Sequence, residues 1–157
     1  MEITVLSIGK VASRWIKDGV EIFEDRIGKY IKYSSLTIPD VKISKALSKE
    51  NIKEEEGKLI IQNVSPSDFV VLMDEKGQEF TSKEFAGWIQ KQMNAARKRI
   101  VFVLGGPFGF SNAVYSRADY KIALSKMTFT HEMAKLILSE QIYRGLTILK
   151  GEPYHHE

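Results

Sequence analysis

Twice in its last third this chain sends a short apolar run straight into a small or polar loop. Ile100-Val-Phe-Val-Leu104 is followed by Gly105-Gly-Pro-Phe-Gly109, and Tyr120-Lys-Ile-Ala-Leu124 by Ser125-Lys-Met-Thr-Phe129 and then His131. Strands that open this way at their carboxyl ends are how an open α/β sheet makes a ligand crevice. Neither loop is a phosphate cradle. The first is not G-x-G-x-x-G, has no acidic residue about 20 positions on, and lacks the Gly-Lys-Ser/Thr of a P-loop. The ligand is therefore expected to be something other than a nucleoside triphosphate.

The rest of the chain repeats the alternation. Residues 2–8 read as a buried strand ended by Gly9. Apolar positions 12, 15, 16, 20, 23, 27, 30 and 31 give a helical period up to Ile31. Residues 33–38 read as a strand closed by Pro39-Asp40. Residues 41–56, rich in Lys, Glu, Ser and Asn, read as a mobile loop leading into a helix that includes Leu59, Ile60 and Ile61. Ser65-Pro66-Ser67-Asp68 breaks the chain before a strand at 69–73. The next helix has the clearest start: Thr81 and Glu84 form a capping box, with Phe80 and Phe85 in the staple positions. Arg97-Lys-Arg99 suits its C-terminal end. A short helix after Ser111 and a last helix from about Thr130 to Leu149, stopped by Gly151 and Pro153, complete the pattern.

Strands alternating with helices call for one α/β domain over residues 1–157, with a mostly parallel sheet covered on both faces. Met133, Leu136, Ile137, Leu138, Ile142, Tyr143, Leu146, Ile148 and Leu149 cover more than one face of the last helix. The expected second surface is another copy of the chain, the alternative being a helix sandwiched within one protomer. No apolar run approaches the ~18 residues of a membrane span, and the start enters a strand with no basic-then-apolar leader. Cysteine is absent, which excludes disulfide and thiolate chemistry and suits a reducing cytoplasm. The charge is uneven. Residues 1–74 carry 11 basic and 12 acidic side chains, whereas residues 75–157 carry 12 and 8. A basic excess beside the glycine loop fits a polyanionic partner such as RNA, or an ordinary lysine-rich surface.

Each candidate residue has a plain structural alternative. A glycine turn after a strand can be turn geometry alone. Met127 and Phe129 can be core, or, with the backbone amides of Leu124–Phe129, can sandwich an adenine. His131 can be a structural residue at the helix start, and His155-His156 a tail. Asp74 and Lys126 occupy places comparable to those of a phospho-receiver domain, but Gly9-Lys10 follows the first strand where a metal-holding acidic pair would be needed. No metal is expected.

Taken in order, the motifs resemble one family over almost the whole chain: Ile3-Thr-Val-Leu-Ser-Ile-Gly-Lys10, Glu55-Glu-Gly57, Val103-Leu-Gly-Gly-Pro107, Leu124-Ser-Lys-Met-Thr-Phe129, Glu140-Gln-Ile-Tyr-Arg144 and Glu152-Pro-Tyr-His155. These are similar to the small bacterial SPOUT-class methyltransferases that act on N3 of a pseudouridine in 23S ribosomal RNA, the large subunit methyltransferase H family. Thr130 departs from the proline frequent in that family, and Phe108 fills a slot often polar there. The resemblance implies a C-terminal trefoil knot, a homodimer with active sites at the subunit interface, and S-adenosylmethionine held by Met73, Gly105, Leu124, Ser125, Lys126, Met127, Thr128 and Phe129. The reaction expected is in-line methyl transfer, on the assembled ribosome rather than bare RNA. His155 and His131 are the candidate bases, His155 favoured, with Tyr154 stacking on or hydrogen-bonding to the target base and Arg144 and Lys126 binding phosphate or steadying the imide anion. The competing reading is a non-catalytic module that binds a nucleotide or RNA. Calorimetry with S-adenosylmethionine separates the two.

Overall fold

The structure, a computed structural model, describes residues 1–41 and 48–156. Five strands form one sheet in the order β2-β1-β4-β3-β5, and every pairing is parallel. They are β1 (Glu2–Ile8), β2 (Lys32–Ile38), β3 (Phe69–Gln78), β4 (Arg99–Leu104) and β5 (Tyr120–Ile122). Between them run α1 (Arg14–Gly28), α2 (Lys49–Gln62), α3 (Ser82–Asn94) and α4 (Asn112–Arg117), with α5 (His131–Lys150) last. A wholly parallel sheet must be covered on both sides, and this one is. Ile3, Val5, Val71, Ile100 and Phe102 point to a core shared with α1, α3 and α5. Leu6, Ile8, Val70, Leu72, Val101 and Val103 point the other way, onto Ile60 of α2 and Val114 of α4. The period-2 alternation of β1, β3 and β4 thus feeds two cores.

Helix ends follow the local chemistry. Thr81 Oγ1 accepts the Glu84 amide and the Glu84 carboxylate accepts the Thr81 amide at 2.7 Å, while the Phe80 and Phe85 rings meet at 6.4 Å. Thr130, the departure from proline, caps α5 by accepting the Met133 amide at 3.3 Å. Gly151 ends α5 with φ of +68°, a conformation glycine takes without a Cβ clash.

Two expectations are corrected. Residues 49–56 belong to α2 rather than a loop: Ser48 accepts the Asn51 amide, and burial of Ile52, Glu56, Gly57 and Ile60 docks a helix whose first half is otherwise polar. The part of that expected mobile segment at 42–47 lies outside the described residues. β3 runs on from Met73 to Gln78 through an irregularity, because Gln78 pairs with Ile122 after the regular register ends at Met73. The apolar residues of α5 are only in part taken up by the core of one protomer. α5 lies between α1 and α3, with Leu138, Ile142 and Leu146 buried and the other six partly buried. Among the described residues no helix is long and apolar enough to cross a membrane.

The amino ends of β3, β4 and β5 are tied by charge. Asp68 is bonded by Arg99 and accepts the Ser65 amide, Arg117 donates to the Ser65 and Asp68 carbonyls, and Asp119 accepts the Val70 amide at 2.7 Å. With that end clamped, the carboxyl end carries the open loops.

Candidate active site

A cavity of about 730 Å³ opens at the carboxyl ends of β3, β4 and β5. Its walls are Met73–Lys76, where the regular register of β3 ends, the Gly105–Phe110 loop after β4, and residues 124, 125 and 127–130 after β5, with His131 and Ala134 from α5. Its size falls within the range of ordinary ligand pockets. Gly105 is required by packing, since a Cβ there would stand 2.9 Å from the Phe110 ring. Gly109 has φ of +80° and its amide closes a turn on the Gly106 carbonyl. The opposite wall is shaped by the Met127 amide donating to Ser125 Oγ at 3.0 Å and by Thr128 Oγ1 donating to Glu75 at 3.0 Å. Met127 stays 75% exposed and Phe129 is also exposed, so an apolar lip faces solvent.

The charged side chains of the lining are Asp74 and Glu75, with Lys76 beside them. Tyr115 donates to Asp74 at 2.5 Å, and burial together with that carboxylate pushes the phenol up to about 12. Walls that mix apolar side chains, closely approaching glycine backbone and carboxylates suit a cationic ligand without phosphate. Among the described residues no group of three or more His, Cys, Asp or Glu could hold a metal ion.

Of the residues read from the sequence, Met73, Gly105, Leu124, Ser125, Met127, Thr128, Phe129 and His131 all line this cavity. The Lys126 side chain does not. It is 86% exposed and turned toward Glu79 at 3.9 Å. Arg144, Tyr154 and His155 form a second cluster at the far end of α5. Glu140 Oε1 accepts from Arg144 Nη2 at 2.6 Å and from the Tyr154 hydroxyl at 3.0 Å, and the Arg144 guanidinium lies 4.7 Å from the Tyr154 ring centre. Burial, then the Glu140 charge, pushes the Tyr154 phenol up. Arg144 Nη1 lies 3.3 Å from His155 Nδ1. A guanidinium only donates, so Nδ1 accepts and the neutral ring carries its proton on Nε2. Within this protomer the Nε2 atom itself is buried. Thirteen residues of helix separate His131 from Arg144, about 20 Å along the axis. One protomer therefore holds the two clusters apart.

Sequence reasoning missed Asp74, Glu75, Phe110, Tyr115 and Ala134 as lining. Asp74-Glu75 directly after the third apolar run was the available signal, since the other two cavity loops also follow strands.

The comparisons with known proteins agree with one another. A family model described as "Predicted SPOUT methyltransferase" matches residues 1–155. A protein of Christiangramia forsetii named "Ribosomal RNA large subunit methyltransferase H" is 51% identical over 156 residues, covering 99% of each chain. One of the same name from Parabacteroides distasonis is 49% identical over 157 residues, covering all of both. Among solved structures, a probable methylase family protein from Haemophilus influenzae Rd KW20 superposes with a TM-score of 0.57 at 13% identity, covering 99% of this chain and 70% of that one. At that identity it supports the fold alone.

Proposed function

This chain belongs to the SPOUT methyltransferase family, and from that premise we propose that it transfers a methyl group from S-adenosylmethionine to N3 of a pseudouridine in 23S ribosomal RNA. It is a methyltransferase, which sets aside the reading as a non-catalytic binding module. The observation that carries the proposal is the cavity itself: apolar walls, the Gly105 approach and carboxylates at Asp74 and Glu75, with no phosphate cradle. These residues fit an adenosine attached to a cation. Bound there, S-adenosylmethionine supplies a sulfonium methyl: the S–CH3 bond breaks as N3–CH3 forms, and sulfur keeps the electron pair as a neutral thioether.

The chain's own residues do the rest. Gly105 and the Leu124–Phe129 turn hold the donor, and the exposed Met127 and Phe129 keep water from its reactive end. Arg144, with His155 held beside it, steadies the imide anion that develops as N3 loses its proton, and Tyr154 stacks on the base. His131, the ring that lines the cavity, takes the N3 proton. The 20 Å separation within a protomer supports a homodimer in which the Arg144 cluster of one copy faces the cavity of the other. Trp15 and Ile22, 65% and 50% exposed on α1 beside α5, are apolar surface available for that contact. Threading of the C-terminal segment as a trefoil knot, action on the assembled ribosome and a cytoplasmic setting belong to the same reading.

Single-turnover methylation of ribosomes tests the roles. His131→Ala and His155→Ala are each expected to slow the step ~100-fold or more at unchanged donor affinity. Loss of donor binding in both would place them in the cofactor pocket instead. Wild-type rates from either variant would overturn the assignments, and equal turnover on protein-free transcripts would remove the ribosome as substrate.

A further inference from the structure

Glu56-Gly57 stands in the sequence motifs yet has no part in the chemistry above. Glu56 lies on α2, the helix behind the Gly105 loop, and is 3% exposed. Its Oε2 is buried without a hydrogen-bond partner. The carboxyl is aimed at the cavity wall: a Cβ on Gly106 would stand 2.8 Å from Glu56 Cδ. Gly57 makes this approach possible, because a Cβ there would lie 3.0 Å from Ser111 Cβ, so only glycine lets α2 come so close to the residue after the loop. Gly106 and Pro107, against which the carboxyl is packed or adjacent, line the donor cavity on their other side.

Among the described residues, the charges around Glu56 do not favour its anion. Asp40, at the end of β2, adds a second negative charge, and its carboxylate also abuts Gly9 after β1. On α2 itself, Lys53 pairs with Glu50 at 2.8 Å and Lys49 lies over the Phe108 ring. Lys10 after β1 is exposed, and the Gly105–Phe110 loop and Ser111 before α4 bring no charge. Burial, then Asp40, pushes the Glu56 carboxyl up to about 7. An ionised carboxylate there has to be hydrated, and water can reach it only if the packing against Gly106 loosens.

We propose that Glu56 is a positioning residue for the methyl-donor cavity: its uncharged carboxyl, wedged against Gly106, holds the Gly105–Gly106–Pro107 wall in the shape that receives the donor, and loss of its proton releases that wall. This rests on the cavity being the donor site. It makes donor binding proton-linked. If only the neutral form binds well, apparent affinity falls about 30-fold between pH 6 and pH 8.5, since the competent fraction drops from about nine-tenths to about 3%.

The test is titration calorimetry of wild type, Glu56→Gln and Glu56→Ala with S-adenosylmethionine and S-adenosylhomocysteine across pH 6 to 8.5. Any titration of the ligands is common to all three proteins, so the comparison between proteins is read. Wild type is expected to lose affinity for both ligands in parallel as pH rises. It should also take up about one proton per site at pH 8, read from buffers of different ionisation enthalpy. Glu56→Gln is expected to bind as wild type does at pH 6, with neither the decline nor the uptake. Glu56→Ala, which removes the wedge, should bind more weakly at every pH. A decline unchanged in Glu56→Gln overturns the proposal. So does a wild-type gain for the sulfonium alone, which would make Glu56 a charge partner of the donor. Failure of either ligand to bind at any pH sinks the donor-site reading instead. Thermal unfolding of the ligand-free protein gives an independent arm: Glu56→Gln should exceed wild type at pH 8 and by much less at pH 5, and equal differences at both refute the proton's role.

Discussion

Gly77 is distant in sequence from both cavity loops, yet it sets where one of them begins. A Cβ at Gly77 would lie 2.6 Å from the Ile122 backbone N and C and 2.7 Å from the Lys121 carbonyl carbon. All three are main-chain atoms, so no side-chain rotation relieves the contact. For Gly77→Ala, β5 must retreat by about 0.8 Å to restore ordinary contact, which costs on the order of 1–3 kcal/mol as overpacking. The substitution also stiffens the unfolded chain, an opposing gain of about 0.4–1 kcal/mol. The net loss of roughly 1–2 kcal/mol should lower Tm by about 3–6 °C in a chain of this size. The retreat is passed on, because Ala123 N donates to Gln78 O at 3.0 Å and Leu124 opens the cavity loop. Donor affinity is therefore expected to fall about tenfold, equivalent to 1.4 kcal/mol. Scanning calorimetry and titration with S-adenosylhomocysteine read the two effects. Unchanged Tm with unchanged affinity would show that the extended part of β3 does not press on β5.

Gly87 is the counterpart: it is exposed within α3 and a Cβ there meets nothing within 4 Å. Gly87→Ala should stabilise by about 0.8 kcal/mol through helix propensity, read as a rise in denaturation midpoint at unchanged m value. Acid should attack the amino-end clamp. Burial raises the Asp68 carboxyl, but the Arg99 bond, the Ser65 amide and the nearby guanidinium charges outweigh it, and the net shift is downward. The stability it contributes is thus present above the ordinary carboxylate range near 3.8 and is lost as pH falls through the lowered value. In Asp68→Asn the wild-type advantage at pH 7 should shrink as pH falls below 3.8, measured by urea unfolding, and an advantage constant with pH would contradict the assignment. Arg144→Ala removes the guanidinium contacts to Glu140, Tyr154 and His155 together. Single-turnover methylation should drop ~100-fold or more with donor affinity within about twofold of wild type.

Much of the fold was legible because burial is periodic where the sheet is central. β1 and β4 are flanked by strands on both sides and covered on both faces, so nearly every residue is buried, most are apolar, and the runs read directly. α3 was legible from its capping box, a local signal independent of tertiary context. The continuation of β3 through Asp74–Gln78 was not. Its pairing with β5 is made by backbone groups past an irregularity, and polar side chains leave no pattern. The start of α2 was hidden for a related reason, since among its first eight residues only Ile52 is a buried hydrophobic. Among the site residues, the loops announced themselves by following strands, whereas the direction of Lys126 and the hydrogen bond that fixes His155 depend on neighbours brought from elsewhere in the chain. Glu56 sits among three consecutive glutamates, and only the backbone of Gly106 distinguishes it from the other two.

The account depends on a methyl donor occupying the space between Gly105 and the Leu124–Phe129 turn. The most direct measurement is a crystal structure of the protein grown with S-adenosylhomocysteine. The expected result is ligand density bounded by Met73, Gly105 and Leu124–Phe129, with the sulfur turned toward the mouth formed by Met127 and Phe129. Density at another surface, or none at millimolar ligand, would contradict it.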